Sequence, residues 1–414
     1  MHTSNTSMMS HPNTSSAKKS QRLAIILALI TCLATLGVTS TNANAEVTTR
    51  IAYLAQTVDT GPVLSNILPE PEDAGLRGTE LAINDSNTTG KFLKQHFELS
   101  AYTSDDSSSL LEHAQQLYKS GIHSFVVNAP ADTLRTLSQQ LPDDVLIFNA
   151  AAKDDNLRQT VCLKNTLHTI PSRAMLADAL GQWLKARQLS DLLLITGPTD
   201  DDKAYTQAIK RTAKRYGLKI VAEKAWDFDT DLRRTAQREM PLFTQTKEYD
   251  VVVVADERGD FGEYVLYNTW YPRPVVGTQG LTPVTWHRVV EQWGAAQLQS
   301  RFEKLSGRWM TEKDYAAWAA VRTIAEAATR TNSEDIHTLK QYIASDAFEL
   351  AGFKGRKLDF RAWNGQLRQP IPLVHPRSLV SQSPQEGFLH PLSELDTLGF
   401  DKPESQCNLL ADFR

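Results

Sequence analysis

The polar residues best placed to bind a small molecule lie in loops that follow short apolar runs. In the first part of the chain these residues are Asp59, Ser65, Asn66, Asn128 and Asn149, with Ala150 beside the last. In the second part they are Asp201, Tyr205, Asp256 and Glu257, with Phe261 as an apolar neighbour. A ligand site needs a few placed polar groups between apolar walls, which this set could supply. Each residue could also be a simple turn or helix-cap residue, so the prediction concerns the two sets together.

Acidic residues are concentrated in two loops of the second part. The carboxylates are Asp200, Asp201, Asp202, Asp256, Glu257, Asp260 and Glu263. A hard cation binds several oxygen ligands, so a convergent arrangement could hold one. Their spacing is not that of an EF-hand loop, and solvated loop carboxylates explain the same pattern. We therefore predict no metal site.

The sequence carries none of the common catalytic motifs. It lacks G-x-S-x-G, a Walker loop, H-E-x-x-H and a G-x-G-x-x-G after the first apolar run. His168, His287 and His390 are isolated from one another and from the cysteines. We predict no catalytic residue, no cofactor and no enzymatic activity.

Strands must alternate with helices to place these loops. Apolar runs at 51–55, 125–127, 145–148, 192–196 and 250–256 indicate buried strands. Segments with helical periodicity separate them, which predicts an α/β fold with mostly parallel sheets flanked by helices. In such sheets ligands bind outside the carboxyl ends of the strands. At 414 residues the chain favours two lobes, with a ligand cleft between them.

The first 45 residues are typical of an export signal. Lys18, Lys19 and Arg22 precede an apolar stretch at 23–38, and Ala43-Asn44-Ala45 fits a cleavage site. A membrane-anchoring helix is the alternative, although the stretch is shorter than the ~20 residues of a span. The mild net charge of −4 argues against a nucleic-acid partner.

Two cysteines remain after removal of the signal, Cys162 and Cys407. An even pair in an oxidising compartment predicts a disulfide, with two buried free thiols as the alternative. The bond would tie the C-terminal tail to the middle of the chain.

Several longer motifs resemble one family. The segments at 315–327 and 353–366 resemble the hinge-proximal helix and the C-terminal hairpin of type I periplasmic solute-binding proteins of the branched-chain amino-acid-binding group. Motifs at 64–66, 71–76, 87–90, 171–180, 261–264, 353–355 and 386–390 resemble a narrower subfamily. That subfamily comprises ABC-transporter substrate-binding proteins associated with PQQ-dependent alcohol dehydrogenase systems.

The resemblance implies a periplasmic substrate-binding component of an ABC transporter. Its partners would be a small solute linked to PQQ-dependent alcohol oxidation, an ABC permease in the inner membrane and a periplasmic quinoprotein dehydrogenase. The alternative is an accessory or metal-handling protein, for calcium or a lanthanide, that serves the dehydrogenase without transport. The branched-chain group holds its ligand partly through small hydroxyl side chains, which are absent at 128–129 and 149–151. This departure argues against an amino acid as the ligand.

The resemblance also implies a division of the chain. Lobe 1 would comprise 46–163, with 282–348 returning to it. Lobe 2 would comprise 164–281, with 349–380 returning to it, and 381–414 would wrap the surface as a tail.

Overall fold

The computed structural model of the protein describes residues 46–59, 61–62, 64–227, 235–409 and 413. The predicted export signal at 1–45 lies outside these residues. Within the described ranges, no helix combines the length and the apolar character that a membrane span requires.

A five-stranded parallel sheet in the order β2-β1-β3-β4-β5 forms the first lobe. Its strands are β1 (Val47–Gln56), β2 (Gln95–Ser104), β3 (Ser124–Asn128), β4 (Leu146–Asn149) and β5 (Thr166–His168). Its connecting helices are α1 (Leu76–Leu93), α2 (Ser107–Lys119), α3 (Ala131–Gln140) and α4 (Asn156–Gln159). Strand β3 shows why the sheet needs cover on both faces. Val126 packs into one core, whereas Phe125 and Val127 pack into the other.

A four-stranded parallel sheet in the order β7-β6-β8-β9 forms the second lobe. Its strands are β6 (Asp191–Thr196), β7 (Lys219–Ala225), β8 (Val251–Ala255) and β9 (Val275–Gly277). Its helices are α5 (Arg173–Ala186), α6 (Asp200–Tyr216), α7 (Ala236–Thr244) and α8 (Gly262–Val265). Every residue of β8 is buried, as its run of four valines predicts for a central strand.

Three later helices return to the first lobe. They are α9 (Ala295–Ser306), α10 (Glu312–Thr331) and α11 (Ile336–Ile343). Helix α10 begins with a capping box in which Thr311 and Asp314 bond each other's backbone. It packs against α1 at close range, because a Cβ at Gly78 would lie 1.9 Å from the carbonyl oxygen of Asp314.

Two small antiparallel sheets complete the fold. One has the order β10-β14-β15 and the other β11-β12-β13. Their strands are β10 (Thr282–Pro283), β11 (Leu350–Ala351), β12 (Lys357–Phe360), β13 (Leu367–Arg368), β14 (Ile371–His375) and β15 (Ser378–Ser383). Leu358 and Leu367 pack into the core of the first lobe, whereas Ile371 and Leu373 pack into that of the second.

The chain passes between the two lobe cores near 169–175, 281–286 and 367–371. Lys354, which is 2% exposed, joins two of these passages. Its Nζ donates to the carbonyl of Thr285 at 2.6 Å, to Oε1 of Gln369 at 2.6 Å and to the carbonyl of Pro370 at 3.2 Å. The amide of Gln369 then donates to the carbonyl of Thr169 in the third passage, at 2.8 Å. One buried hydrogen-bond network thus connects the three passages, which together form the hinge. The exact bounds of the lobes stay a prediction.

The C-terminal tail makes a fourth link between the lobes. In its first part, the backbone N–H of Gly399 donates to Asp178 on α5, at 2.9 Å. Two 3₁₀ turns, Glu394–Thr397 and Lys402–Glu404, lie on either side of this contact. Farther on, Leu409 packs into the core of the first lobe, and Cys407 is bonded to Cys162. The predicted disulfide is confirmed, and it fastens the tail after it has crossed the hinge.

Candidate functional site

The loops at the carboxyl ends of the two sheets face each other across the cleft. The loop after β1 reaches the loop after β8. The backbone N–H of Asn66 donates to Oε1 of Glu263 at 2.7 Å, and Nη2 of Arg258 donates to the carbonyl of Pro62 at 3.0 Å. Gly259 has a φ of +78°, and a Cβ there would lie 3.0 Å from Cδ1 of Ile67. Glycine at this position therefore permits the close approach of the two loops.

Six side chains form a polar group that we call the cleft cluster. They are Lys153 after β4, Arg173 at the start of α5, Asp201 and Tyr205 on α6, Glu257 after β8 and Glu312 at the start of α10. Helix N-termini and strand carboxyl ends lie at the same edge of an α/β lobe, so the fold itself brings these positions together.

Arg173 organises the second-lobe side of the cleft cluster. Its Nε and Nη2 donate to the two carboxylate oxygens of Glu257, at 2.7 and 3.0 Å. Nη2 also donates to Asp201 at 2.5 Å, and Asp154 lies 3.7 Å from Nη1. The Arg173 side chain is only 5% exposed, whereas Asp201 is 68% exposed. The arginine is therefore buried beneath its acidic partners, and carboxylate oxygens face the solvent.

Lys153 and Glu312 form the first-lobe side. Lys153 Nζ lies 3.1 Å from Oε2 of Glu312, which also accepts a hydrogen bond from the hydroxyl of Thr285 at 3.3 Å. Burial alone would lower the pKa of Lys153, but the charges of Glu312 and Glu257 outweigh it and raise that pKa above its usual value. Since Glu257 belongs to the second lobe, the two halves of the cluster interact electrostatically.

Tyr205 carries one of the buried polar groups that have no hydrogen-bond partner among the described residues. The residue is 2% exposed, and its hydroxyl has no hydrogen-bond partner among the described residues. Burial, followed by the charges of Glu257 and Glu312, raises the pKa of the phenol well above its usual value. The hydroxyl therefore stays neutral and feels the charges of carboxylates from both lobes. A buried unpaired hydroxyl is costly unless a ligand satisfies it.

The other predicted residues of the first lobe support their own loops. Asn128 donates to the hydroxyl of Tyr53 and to the carbonyl of Ala74, both at 2.9 Å. Asn149 is fully buried and donates to the carbonyl of Ala152 at 2.8 Å. Ala150 lies in the apolar core. Their contact with a ligand stays a prediction.

The loop after β1 contains three predicted residues. Asp59 is exposed and accepts a hydrogen bond from the backbone of Gly61 at 2.8 Å. The hydroxyl of Ser65 accepts one from the backbone of Ile67 at 3.2 Å. Asn66, in contrast, makes the contact across the cleft described above. Of the three, Asn66 is thus the one that joins the two lobes.

Asp256 and Phe261 shape the loop after β8. The carboxylate of Asp256 accepts four backbone hydrogen bonds, from residues 259 to 262, at 2.6 to 3.0 Å. Phe261 is 1% exposed and stacks on Trp226, with ring centroids 4.8 Å apart. Both residues therefore fix the loop that carries Glu257.

The acidic loops do not converge on a cation in the described part of the chain. No group of three or more metal-ligating side chains occurs among these residues. The oxygens of Asp202 are already occupied, because its carboxylate caps α6 and accepts a hydrogen bond from the backbone of Glu257 at 2.7 Å.

Sequence patterns do not identify three residues of the cleft cluster as site residues, namely Lys153, Arg173 and Glu312. Each lies next to a predicted strand or helix end, which is the only signal the sequence offers. Arg173 and Glu257 are 84 positions apart, so their pairing is visible only in three dimensions.

The arrangement of two α/β lobes with parallel sheets is the fold of type I periplasmic binding proteins, as predicted. Residues 60–255 match the family profile described as periplasmic binding protein. Among curated proteins, no sequence matches the chain.

Solved structures extend this likeness to most of the chain. A branched-chain amino acid ABC transporter periplasmic ligand-binding protein from Burkholderia xenovorans LB400 has a TM-score of 0.68 at 15% identity, covering 87% of this chain and 100% of that one. An ABC transporter solute binding protein from R. palustris in complex with benzoate has a TM-score of 0.63 at 13% identity, covering 87% and 99%. An ABC transporter substrate-binding protein from Desulfitobacterium hafniense in complex with Leu has a TM-score of 0.62 at 15% identity, covering 80% and 99%.

Such low identities establish the fold. The three structures are described as ligand-, solute- and substrate-binding proteins.

Proposed function

We propose that the protein is the periplasmic substrate-binding component of an ABC transporter and that it binds a small solute between its lobes. The observation that carries this proposal is the buried hydroxyl of Tyr205, which has no hydrogen-bond partner among the described residues and feels the charges of Glu257 in one lobe and Glu312 in the other. A solute that hydrogen-bonds this hydroxyl would touch both lobes. It would therefore favour the closed state through its differential affinity.

The charge of the cleft cluster limits the class of solute. Its carboxylates outnumber its cations, and its most exposed charged group is Asp201. A carboxylate solute would meet like charge at this surface, whereas a neutral polar or a cationic solute would not. Neutral alcohols and aldehydes fit this condition.

The link to PQQ-dependent alcohol oxidation is supported by the sequence motifs alone. We propose it together with a periplasmic location, an export signal at 1–45, an ABC permease partner and a quinoprotein dehydrogenase partner. Metal handling receives less support, because Asp202 and Asp256 are already bonded to backbone N–H groups.

A thermal-shift screen of the exported protein tests the proposal. The panel contains short alcohols, aldehydes, carboxylates, amino acids, PQQ and calcium. A ligand at a hundredfold excess over its Kd stabilises the folded state by ~2.7 kcal/mol. Each hit is repeated on Tyr205→Phe, which should not lose stability because the hydroxyl has no partner to lose among the described residues.

The matched control is Tyr118→Phe, whose hydroxyl bonds Asp144 on the surface of the first lobe. We expect an uncharged hit whose stabilisation disappears in Tyr205→Phe and persists in Tyr118→Phe. A panel without any hit, or hits that Tyr205→Phe leaves intact, would contradict the proposed site.

A further inference from the structure

A second concave site lies beside α9. It has a volume of about 350 Å³. Helix α9 contributes Gln299 and Glu303 to its lining, and the segments before and after this helix contribute Arg288 and Trp309. The β14–β15 turn contributes Arg377. None of these residues belongs to the cleft cluster.

Two guanidinium groups face this cavity without a carboxylate partner. Neither Arg288 nor Arg377 makes an ion pair within the described ranges of the chain. The guanidinium carbon of Arg288 lies 4.9 Å from the centroid of the Trp309 ring. A guanidinium held over an aromatic face keeps the N–H donors of its edge available. The cavity therefore presents two sets of unused cationic donors.

Gln299 adds a buried donor. The residue is 6% exposed, and its Oε1 accepts hydrogen bonds from Nε1 of Trp286 at 3.3 Å and from the backbone of Met310 at 3.4 Å. These bonds fix the orientation of the amide. Its Nε2 has no partner in the described part of the chain. A buried N–H donor of this kind is costly unless an acceptor reaches it.

We propose that this cavity binds a small organic monocarboxylate, whose oxygens accept hydrogen bonds from Arg288, Arg377 and Gln299. Charge-assisted bonds from arginine are the strongest that a carboxylate can accept. The apolar body of the ligand lies along Trp309, which is 47% exposed. Glu291 and Glu303 also line the cavity and balance the two arginines, which disfavours a ligand with two negative charges.

The site thus selects the class of compound that the cleft disfavours. It is independent of the proposed transport function, because the two sites share no residue.

The test uses the exported protein labelled with ¹⁵N at tryptophan, with benzoate as the probe and benzyl alcohol as its uncharged match. The Trp309→Phe variant identifies the indole resonance of Trp309. Arg288→Gln/Arg377→Gln removes both cations from exposed positions, so the fold should persist. Arg238→Gln, an exposed arginine on α7, is the matched control, and Tyr205→Phe separates this site from the cleft.

Benzoate should shift the Trp309 resonance to saturation. The double arginine variant should raise the Kd at least about tenfold, and benzyl alcohol should bind at least about tenfold more weakly. Arg238→Gln and Tyr205→Phe should leave the Kd unchanged. An unshifted Trp309 resonance at about 10 mM benzoate would overturn the inference, since the Kd would then lie above ~10 mM, which is too weak for a specific site. Equal binding of benzyl alcohol, or an unaffected double variant, would overturn it as well.

Discussion

Replacement of Cys162 and Cys407 together by alanine should lower the free energy of unfolding substantially. The two residues are 245 positions apart, so their bond closes a very long loop in the unfolded chain. It also fastens the tail to the first lobe after the tail has contacted the second. The double variant avoids a free thiol, which could react with other molecules.

The loop length sets the magnitude. In the chain-entropy treatment, a loop of this size removes about 5 kcal/mol of conformational entropy from the unfolded state. Measured values commonly fall below this limit, because unfolded chains retain structure. Leu409 remains packed in the core without the bond, so the native contacts of the tail should survive. We therefore expect a loss of roughly 3 to 5 kcal/mol.

Urea unfolding of the wild type and the double variant, followed by tryptophan fluorescence, measures this loss. The midpoint should fall, and the slope should rise because the unlinked unfolded chain exposes more surface. Reduced wild-type protein should behave like the double variant. A loss below ~1 kcal/mol would contradict this expectation and would mean that the loop closure hardly restricts the unfolded chain.

Two further predictions concern buried cations. Arg361→Met should lower the free energy of unfolding in urea by ~3 to 5 kcal/mol, because Arg361 is 1% exposed and its guanidinium bonds Asp396 at 2.9 Å and three tail carbonyls. A loss below ~1 kcal/mol would contradict a buried ion pair. Burial lowers the pKa of Lys354 from 10.5 to about 7 in the folded state. Between pH 7 and 10.5 the unfolded chain therefore binds more protons than the folded one, and the free energy of unfolding should rise with pH over this range. Urea unfolding at several pH values should show this rise in the wild type and a smaller one in Lys354→Met, whereas equal slopes would exclude Lys354 as its source.

Sequence patterns predict the elements with strong local signals. A threonine three residues before an aspartate, as at Thr311 and Asp314, is typical of a helix start, and α10 begins at Glu312. The run of Asn, Asp, Ser and Gly at 84–90 is typical of a turn, yet α1 continues through it to Leu93. The polar side chains of this run are hydrogen-bonded within the fold. The hydroxyl of Ser86 donates to the carbonyl of Ala82, and the side chain of Asn87 bonds the backbone of Phe97 on β2.

The position of the loops is predictable from the sequence, but the pairing of their side chains is not. The loops follow from the strand pattern, because the carboxyl ends of parallel strands share an edge. Arg173 could not be selected, since its partners come from a different helix and a different strand. Asp256 was selected for its charge, yet the fold uses that charge to hold four backbone N–H groups.

A crystal structure of the protein without residues 1–45, bound to the best uncharged hit of the thermal-shift screen, tests the proposed site most directly. We expect ligand density between the lobes, with a ligand oxygen or nitrogen at roughly 2.6 to 3.2 Å from the hydroxyl of Tyr205. Ligand density outside the cleft, with the Tyr205 hydroxyl still unpartnered, would contradict it.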